Sequence, residues 1–479
     1  MERILTAEQM KIADRYTIST LGITEDVLVE RAGTAVAEEI FNRFKGGRVL
    51  VCIGKGNNGA DGQVVANLLS KRHGFKVDVL LVEDATLKLF DDKYDIILDC
   101  IFGTGLNREV CGIHKEIIKK INSSGAFVIS CDVPSGLCSE NGKVLGVAVK
   151  AKMTIAIQEY KTGYFLNDGP DYCGKIVVKD IGISVWEEKF LMRMTGEDVV
   201  SFFSKRERNV HKGNFGKVSV VGGSKNYPGS IYLSTLSLLA MKSGVGYVNL
   251  VVPKSMYGIY ALKNPECTIM AMDDNNGCTT FDVKTLDSLM NYDTIAIGMG
   301  MGVSNSVYKS IEYILKNYAG ILLIDADGLN CLSKYGVNIL KNKNCQVVLT
   351  PHVGEFSRLS GLSKDLITSS PIVYAEEFAK KFSVVLVLKS ATSIITNGDS
   401  TYLNTSGCSG MAKAGSGDVL SGFIAGVIAR NKNNSLLDAV ASACYVFGKA
   451  GEIAEKTNSS YTMTATDIIN CLGKAINSI

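Results

Sequence analysis

The hydrophobic and polar positions of the chain fall into two series of the same kind. In the first, RVLVCIG (48–54), KVDVLLV (76–82), YDIILDCIFG (94–103), AFVISCDVPSG (126–136) and KMTIAI (152–157) read as buried strands. Between them, DGQVVANLLSKRHG (61–74) and HKEIIKKINSSG (114–125) carry helical spacing. A charged stretch, SFFSKRERNVHKGNFG (201–216), breaks the rhythm. Alternation then restarts with KVSVVGGS (217–224), YVNLVVP (247–253), YDTIAIGMGMG (292–302), GILLIDADGLN (320–330) and CQVVLTPHVGE (345–355), each a strand running into a polar turn. SVVLVLKSATSIITNG (383–398) predicts a strand pair. Strand–helix alternation implies a parallel sheet covered on both faces. The pattern therefore predicts two α/β domains joined near residues 185 to 205, with ligands bound beyond the carboxyl ends of the strands.

Composition narrows the class. At 479 residues the chain exceeds one ordinary core, and 46% hydrophobic with 21% charged residues describes a globular protein. A net charge of +3 is small for this length and argues against nucleic acid as a partner. The 13 cysteines form no CxxC pair and suit free thiols in a reducing compartment, which leads us to expect a cytoplasmic protein. MERILTAEQMKIADR lacks the apolar core of a signal peptide, and no run of about 18 apolar residues predicts a membrane span.

The run GMAKAGSGDVLSGFIAGVIA (410–429) concentrates chemistry. The apolar segment after Asp418 predicts a buried helix, so Gly415, Ser416 and Gly417 lie at its free amide donors. Asp418 is then either an N-cap or a general base beside a bound phosphate. In the first series, IGKGNNGADG (53–62) follows a strand but lacks GxGxxG spacing. Asp61 reads either as the N-cap after an asparagine-rich turn or as part of a site. Asp99 and Asp132 each close a strand. A parallel sheet brings such ends to one edge, where Asn58, Asp99, Asp132 and Ser135 form an oxygen-only set suited to a hard cation. His73, His114 and His211 show no partner in sequence.

GNNGADG, DCIFGTGLNR and CDVPSG, with ILTAEQMKIADR and VLVERAG, resemble the epimerase domain of bifunctional NAD(P)H-hydrate repair enzymes. HKGNFGKVSVVGGSKNYPGS, SGVGYV, DADGLN, LTPHVGE, LKSAT and GMAKAGSGD resemble, in order, their dehydratase domain. The resemblance implies a Rossmann-like three-layer α/β/α domain over 1–192 and a ribokinase-like α/β domain over 193–479. It implies potassium at Asn58, Asp99 and Ser135. The hydrated nucleotide would lie against Asn57, Asn58, Gly59, Ala60 and Asp61, against Gly103, Thr104, Gly105, Leu106, Asn107, Arg108 and Glu109, and against Asp132, the acid/base candidate. Some relatives carry a lysine where this loop reads LNRE, which leaves open whether Arg108 supplies the charge.

For the second domain the resemblance implies Asp418 as base. Gly246, Gly302 and His352 would face the substrate, the two glycines by letting it approach the backbone. The phosphoryl donor, ADP, would lie against Lys389, Ser390, Ala391, Thr392 and Ser393 and against Ser409, Gly410, Met411, Ala412, Lys413, Ala414, Gly415, Ser416 and Gly417, with magnesium on its phosphates. From the residues alone, Lys389 could equally be a solvated lysine at a strand end. Asp325 and Asp327 are structural or order water and metal. Cys408, Ser409, Lys413, Ala414 and Ser390 depart from the common pattern and bear on donor preference. The expected partners are small molecules, hydrated NADH or NADPH and ADP, and the resemblance implies a homo-oligomer. Two other readings stay open: a vitamin-precursor kinase of the same fold, and a first domain that only binds.

Overall fold

The computed structural model describes all residues except 85–89, 91, 187, 188 and 239–241. The predicted junction includes 187 and 188, which lie outside the described residues. The chain divides into two compact units, Arg3–Leu191 and Met192–Ile479, the second including Met1–Glu2.

Among the described residues, six parallel strands form the sheet of the first unit, in the order Phe75–Leu81, Gly47–Ile53, Ile96–Cys100, Phe127–Cys131, Met153–Ile157 and Lys175–Lys179. Lys175–Lys179 adds to the predicted strands, and its terminal lysines suit an edge. Period-two alternation sorts the central strand to both faces. Val49, Val51 and Ile53 join one core with Val36 and Leu69, while Leu50 and Cys52 join another with Ile117 and Ile121. Gly47–Ile53 pairs on one side with the next strand and on the other with Ile96–Cys100. Its carboxyl end is thus the switch point where a ligand crevice opens.

The helix after that strand runs Asn57–Lys71 with Gly56 as N-cap, so Asp61 lies inside it and is not a cap. The reason is close packing on the strand end. A Cβ on Gly59 would stand 1.9 Å from the Gly54 carbonyl oxygen, so glycine there lets the helix begin four residues before the predicted start.

Among the described residues of the second unit, seven parallel strands run in the order Thr268–Met272, Tyr247–Pro253, Lys217–Val221, Thr294–Ile297, Ile321–Ile324, Gln346–Leu349 and Val385–Leu388. The predicted strand pair is antiparallel, Val385–Leu388 with Ser393–Thr396, and Thr401–Asn404 follows it. The helix Ser416–Arg430 is apolar all round and buried, as a core helix should be. Gly415, in left-handed backbone at φ 90°, is its N-cap, so Asp418 sits in the first turn and is not the cap. No helix among the described residues is long and apolar enough to cross a membrane.

Candidate functional sites

The first unit carries a cleft of about 840 Å³ at the carboxyl edge of its sheet. Asn57, Asn58, Asp61, the loop from Gly103 to Arg108, and Asp132 line it; Gly59, Ala60 and Glu109 do not. Beneath it, Asp99 is fully buried. Its Oδ2 accepts from Ser130 Oγ at 2.8 Å and the Ser135 amide at 2.9 Å, and its Oδ1 accepts from Ser135 Oγ at 2.5 Å. Burial raises its carboxyl above the usual range, and these hydrogen bonds oppose the rise. Asn58 Nδ2 donates to the Phe102 carbonyl at 3.0 Å, while Asn58 Oδ1 is buried without a partner among the described residues. An unpaired buried amide oxygen costs on the order of 1–3 kcal/mol. A hard cation at that oxygen would relieve it, so the oxygen donors Asn58, Asp99 and Ser135 fit potassium chemically.

Asp132 occupies left-handed backbone at φ 60°, a strained choice for a residue with a side chain. Its carboxylate meets Lys161 Nζ at 2.5 Å. Lys161 also lines the cleft, as does Asp14 from the helix Ala7–Ser19. Burial, then the neighbouring Asp132, pushes Asp14 to about 6 and Asp61 to about 8. Arg108 is an exposed part of the lining. His114 is not partnerless: it stacks on Phe102 and lies 3.5 Å from Glu83.

In the second unit, Asp418 is hydrogen-bonded by Ser230 and raised to about 6 by burial and then by Asp325, with Lys389 opposing. Lys389 Nζ pairs with Asp325 Oδ1 at 3.0 Å, and Ser421 Oγ donates to Asp325 Oδ2 at 2.6 Å. Lys389 is thus partnered, not merely solvated. Burial pulls its ammonium down, but the Asp325 and Glu355 carboxylates more than offset this and hold it above its ordinary value. A Cβ on Gly417 would stand 3.4 Å from Lys389 Nζ, so this cation lies beside the amides that open the helix. Ser416 Oγ there is buried without a partner among the described residues.

His352 is the N-cap of Val353–Ser360. Its Nδ1 accepts from the Gly354 amide at 3.0 Å and the Glu355 amide at 3.3 Å, which keeps that nitrogen unprotonated. Burial and then Lys389 lower its pKa. His211 caps a short turn in the same way. Gly302, at φ 77°, faces open space and donates its amide to Asp327 Oδ2 at 2.8 Å. Gly246 differs, because a Cβ there would lie 1.7 Å from the Lys212 carbonyl oxygen. Its close approach is to the chain itself.

Ser390, Ala391 and Thr392 turn the chain between antiparallel strands, Ser393 opens the second of them, and Ser390 Oγ donates to the Thr392 carbonyl. Glu455 Oε1 accepts from the Gly410 amide at 3.0 Å and Ser409 Oγ at 3.2 Å. Met411 closes the short turn Ser409–Met411, and Ala412 and Ala414 are exposed beyond it. Lys413 Nζ donates to the Tyr461 carbonyl at 2.8 Å and the Met463 carbonyl at 2.6 Å, anchoring the glycine loop to a helix end.

Sequence reasoning missed Lys161, Asp14, Ser230 and Ser421. Each lies on an element remote in sequence from its partner. The one local signal was a polar EYKTGY directly after the strand Met153–Ile157.

Comparison with known proteins converges on the same two halves. The family described as NAD(P)H-hydrate dehydratase matches residues 218–474. The family described as YjeF-related protein N-terminus matches residues 25–94 and 83–163. A bifunctional NAD(P)H-hydrate repair enzyme of Thermofilum pendens is 31% identical, over 100% of this chain and 97% of its own length. One from Moorella thermoacetica is 32% identical, over 98% and 96%. The ADP/ATP-dependent NAD(P)H-hydrate dehydratase of Bacillus subtilis, co-crystallised with ATP and Mg2+, superposes with a TM-score of 0.51 at 26% identity, covering 60% of this chain and 98% of that one. A ribokinase-like superfamily protein of Enterococcus faecalis gives a TM-score of 0.52 at 25% identity, covering 62% and 98%. The chain belongs to the family of bifunctional NAD(P)H-hydrate repair enzymes.

Proposed function

We propose that the chain repairs hydrated NADH and NADPH in two steps, one in each unit. The unit Arg3–Leu191 interconverts the R and S epimers. The unit Met192–Ile479 dehydrates the S epimer at the expense of ADP, giving AMP and phosphate. One observation carries the reading: each unit presents a carboxylate at the carboxyl edge of a parallel sheet, Asp132 and Asp418, in a chain that matches bifunctional repair enzymes end to end.

In the first unit, Asp132 takes the proton of the hydroxyl that water has added to the ring as the bond from that carbon to the ring nitrogen opens with its electron pair on nitrogen, and it returns the proton to the oxygen when the nitrogen closes on the other face. The lining residues of 57–61 and the loop Gly103–Arg108 hold the nucleotide, with Arg108 as a cation at the loop. Asn58, Asp99 and Ser135 would hold potassium, which when bound supplies fixed positive charge at the strand ends.

In the second unit, Asp418 takes the proton from the same hydroxyl as its oxygen attacks the terminal phosphorus of ADP. The P–O bond to AMP breaks, and the amides of Gly415, Ser416 and Gly417 stabilise the charge in transfer, with Lys389 beside them. The phosphate then leaves with the C–O electron pair, a ring proton is lost, and the reduced nicotinamide returns. Among the described residues no cluster of His, Cys, Asp and Glu could hold a metal. Magnesium would therefore enter on the phosphates, where it supplies neutralising charge. Free thiols throughout support a cytoplasmic setting, and family resemblance supports a homo-oligomer.

The test is donor-resolved. Purified chain, S hydrate and magnesium are supplied with ADP or ATP, and AMP, phosphate and the reduced-nicotinamide absorbance are followed. Stoichiometric AMP and reduced nicotinamide from ADP is the expected result. A stable phosphorylated product without reduced nicotinamide would return the unit to the small-molecule kinases.

A further inference from the structure

Asp132 is gripped by one short segment. Its Oδ1 accepts from Lys161 Nζ at 2.5 Å and from the Ile157 amide at 3.4 Å. Its backbone carbonyl accepts from the Tyr164 hydroxyl at 2.6 Å. Oδ2 points the other way, 3.7 Å from where a Cβ on Gly103 would stand, toward the loop that lines the cleft.

The grip is stiff. Lys161 is 1% exposed and spends a second N–H on the Ile157 carbonyl at 2.5 Å. Its backbone is registered against Leu5 in a parallel pair, and Tyr164 is fully buried. Asp132 itself sits in strained backbone, which persists only when the surroundings over-determine it. Among the described residues Asp132 has Lys161 as its sole ion-pair partner, while Asp14 and Asp61 also line the cleft and have none. An ammonium in contact with one of three carboxyls fixes where that one points.

We infer that Lys161 is the positioning residue of the epimerisation, pinning Asp132 Oδ1 so that Oδ2 meets the substrate hydroxyl. The inference rests on the epimerase reading of this unit. Displacing a reacting group by about an ångström costs on the order of a hundredfold in rate. A positioning loss falls on kcat, whereas a binding loss falls on KM.

The experiment compares Lys161→Met, Lys161→Arg and Asp132→Ala in the full chain, assaying R hydrate and S hydrate separately. S hydrate needs only the other unit and serves as the folding control. The expected result for Lys161→Met is a kcat for R hydrate lower by about a hundredfold, with KM within about threefold and S turnover unchanged. Lys161→Arg keeps the charge with a different reach and should recover all but about tenfold. A Lys161→Met kcat within about threefold of the wild type, beside an inactive Asp132→Ala, would overturn the inference alone. So would equal losses in Met and Arg variants, which mere packing would give. If Lys161→Met does not fold, Lys161→Arg decides: a lowered kcat at constant KM supports the inference, and a wild-type kcat overturns it. An Asp132→Ala that still epimerises would sink the epimerase reading itself.

Discussion

Both units set a lysine against an aspartate at the carboxyl edge of a parallel sheet, and they deploy the pair differently. Lys161 meets Asp132, and the paired aspartate is the one that faces the cleft. Lys389 meets Asp325, which is 2% exposed and further held by Ser421, while Asp418 stands outside the pair, in the first turn of the helix that carries Ser421. An ion pair fixes where its carboxylate points. In the first unit that carboxylate is the proposed base; in the second, the pair only tunes it. Asp418 accordingly rises to about 6, through burial and then the neighbouring Asp325 charge, with Lys389 restraining the rise.

The largest expected effect separates the two units. Asp418→Ala should reduce dehydration of S hydrate by about 10³-fold and leave R-to-S exchange intact, measured by chiral separation of the hydrates. Asp132→Ala should do the reverse, losing roughly 10²- to 10⁴-fold in epimerisation. Loss of both activities in either variant would break the comparison.

Next is Lys389→Met. It strands the buried Asp325, and breaking a buried pair from one side costs about 3–5 kcal/mol. A denaturant titration should register this as a lower midpoint for the second unit. The tuning role predicts a smaller, directional effect on pH dependence. A base must be ionised, so kcat/KM for dehydration should fall as pH drops below about 6, by about tenfold per unit. Lys389 holds the Asp418 pKa down. Removing its charge should therefore move the acidic limb upward, and a limb that stays in place would show that the pair does not tune the base.

The smallest effect concerns the orphan Asn58 oxygen. Potassium that binds only the folded state should raise the melting temperature of the first unit in proportion to ln(1 + [K+]/Kd). Asn58→Ala should abolish that rise. An equal rise in the variant would remove Asn58 from the cation set.

Much of this architecture was legible as pattern. Buried parallel strands are continuous apolar runs, so Tyr247–Pro253 falls on the predicted residues, and the aspartates closing two strands were visible as abrupt polar ends. Helix starts were less legible. Asn57–Ala60 has the composition of a turn, and only glycine-mediated packing on Gly54 makes it helical. Lys161 was not legible at all. Its partner lies 29 residues away, and its burial depends on pairing with Leu5 near the N-terminus. Asp14 likewise looks like one polar position of an amphipathic helix until the fold turns it toward the cleft.

The central claim is that each unit carries its own activity and that the two act in series. The most direct test mixes purified Asp132→Ala with purified Asp418→Ala and supplies both epimers of hydrated NADH with ADP, magnesium and potassium. The absorbance of reduced nicotinamide is then followed. Each variant alone should fall short, Asp132→Ala recovering only the S share at first and Asp418→Ala almost nothing. The mixture should recover the full amount, faster than spontaneous epimerisation. A mixture that recovers only the S share at the rate of Asp132→Ala alone would contradict the account.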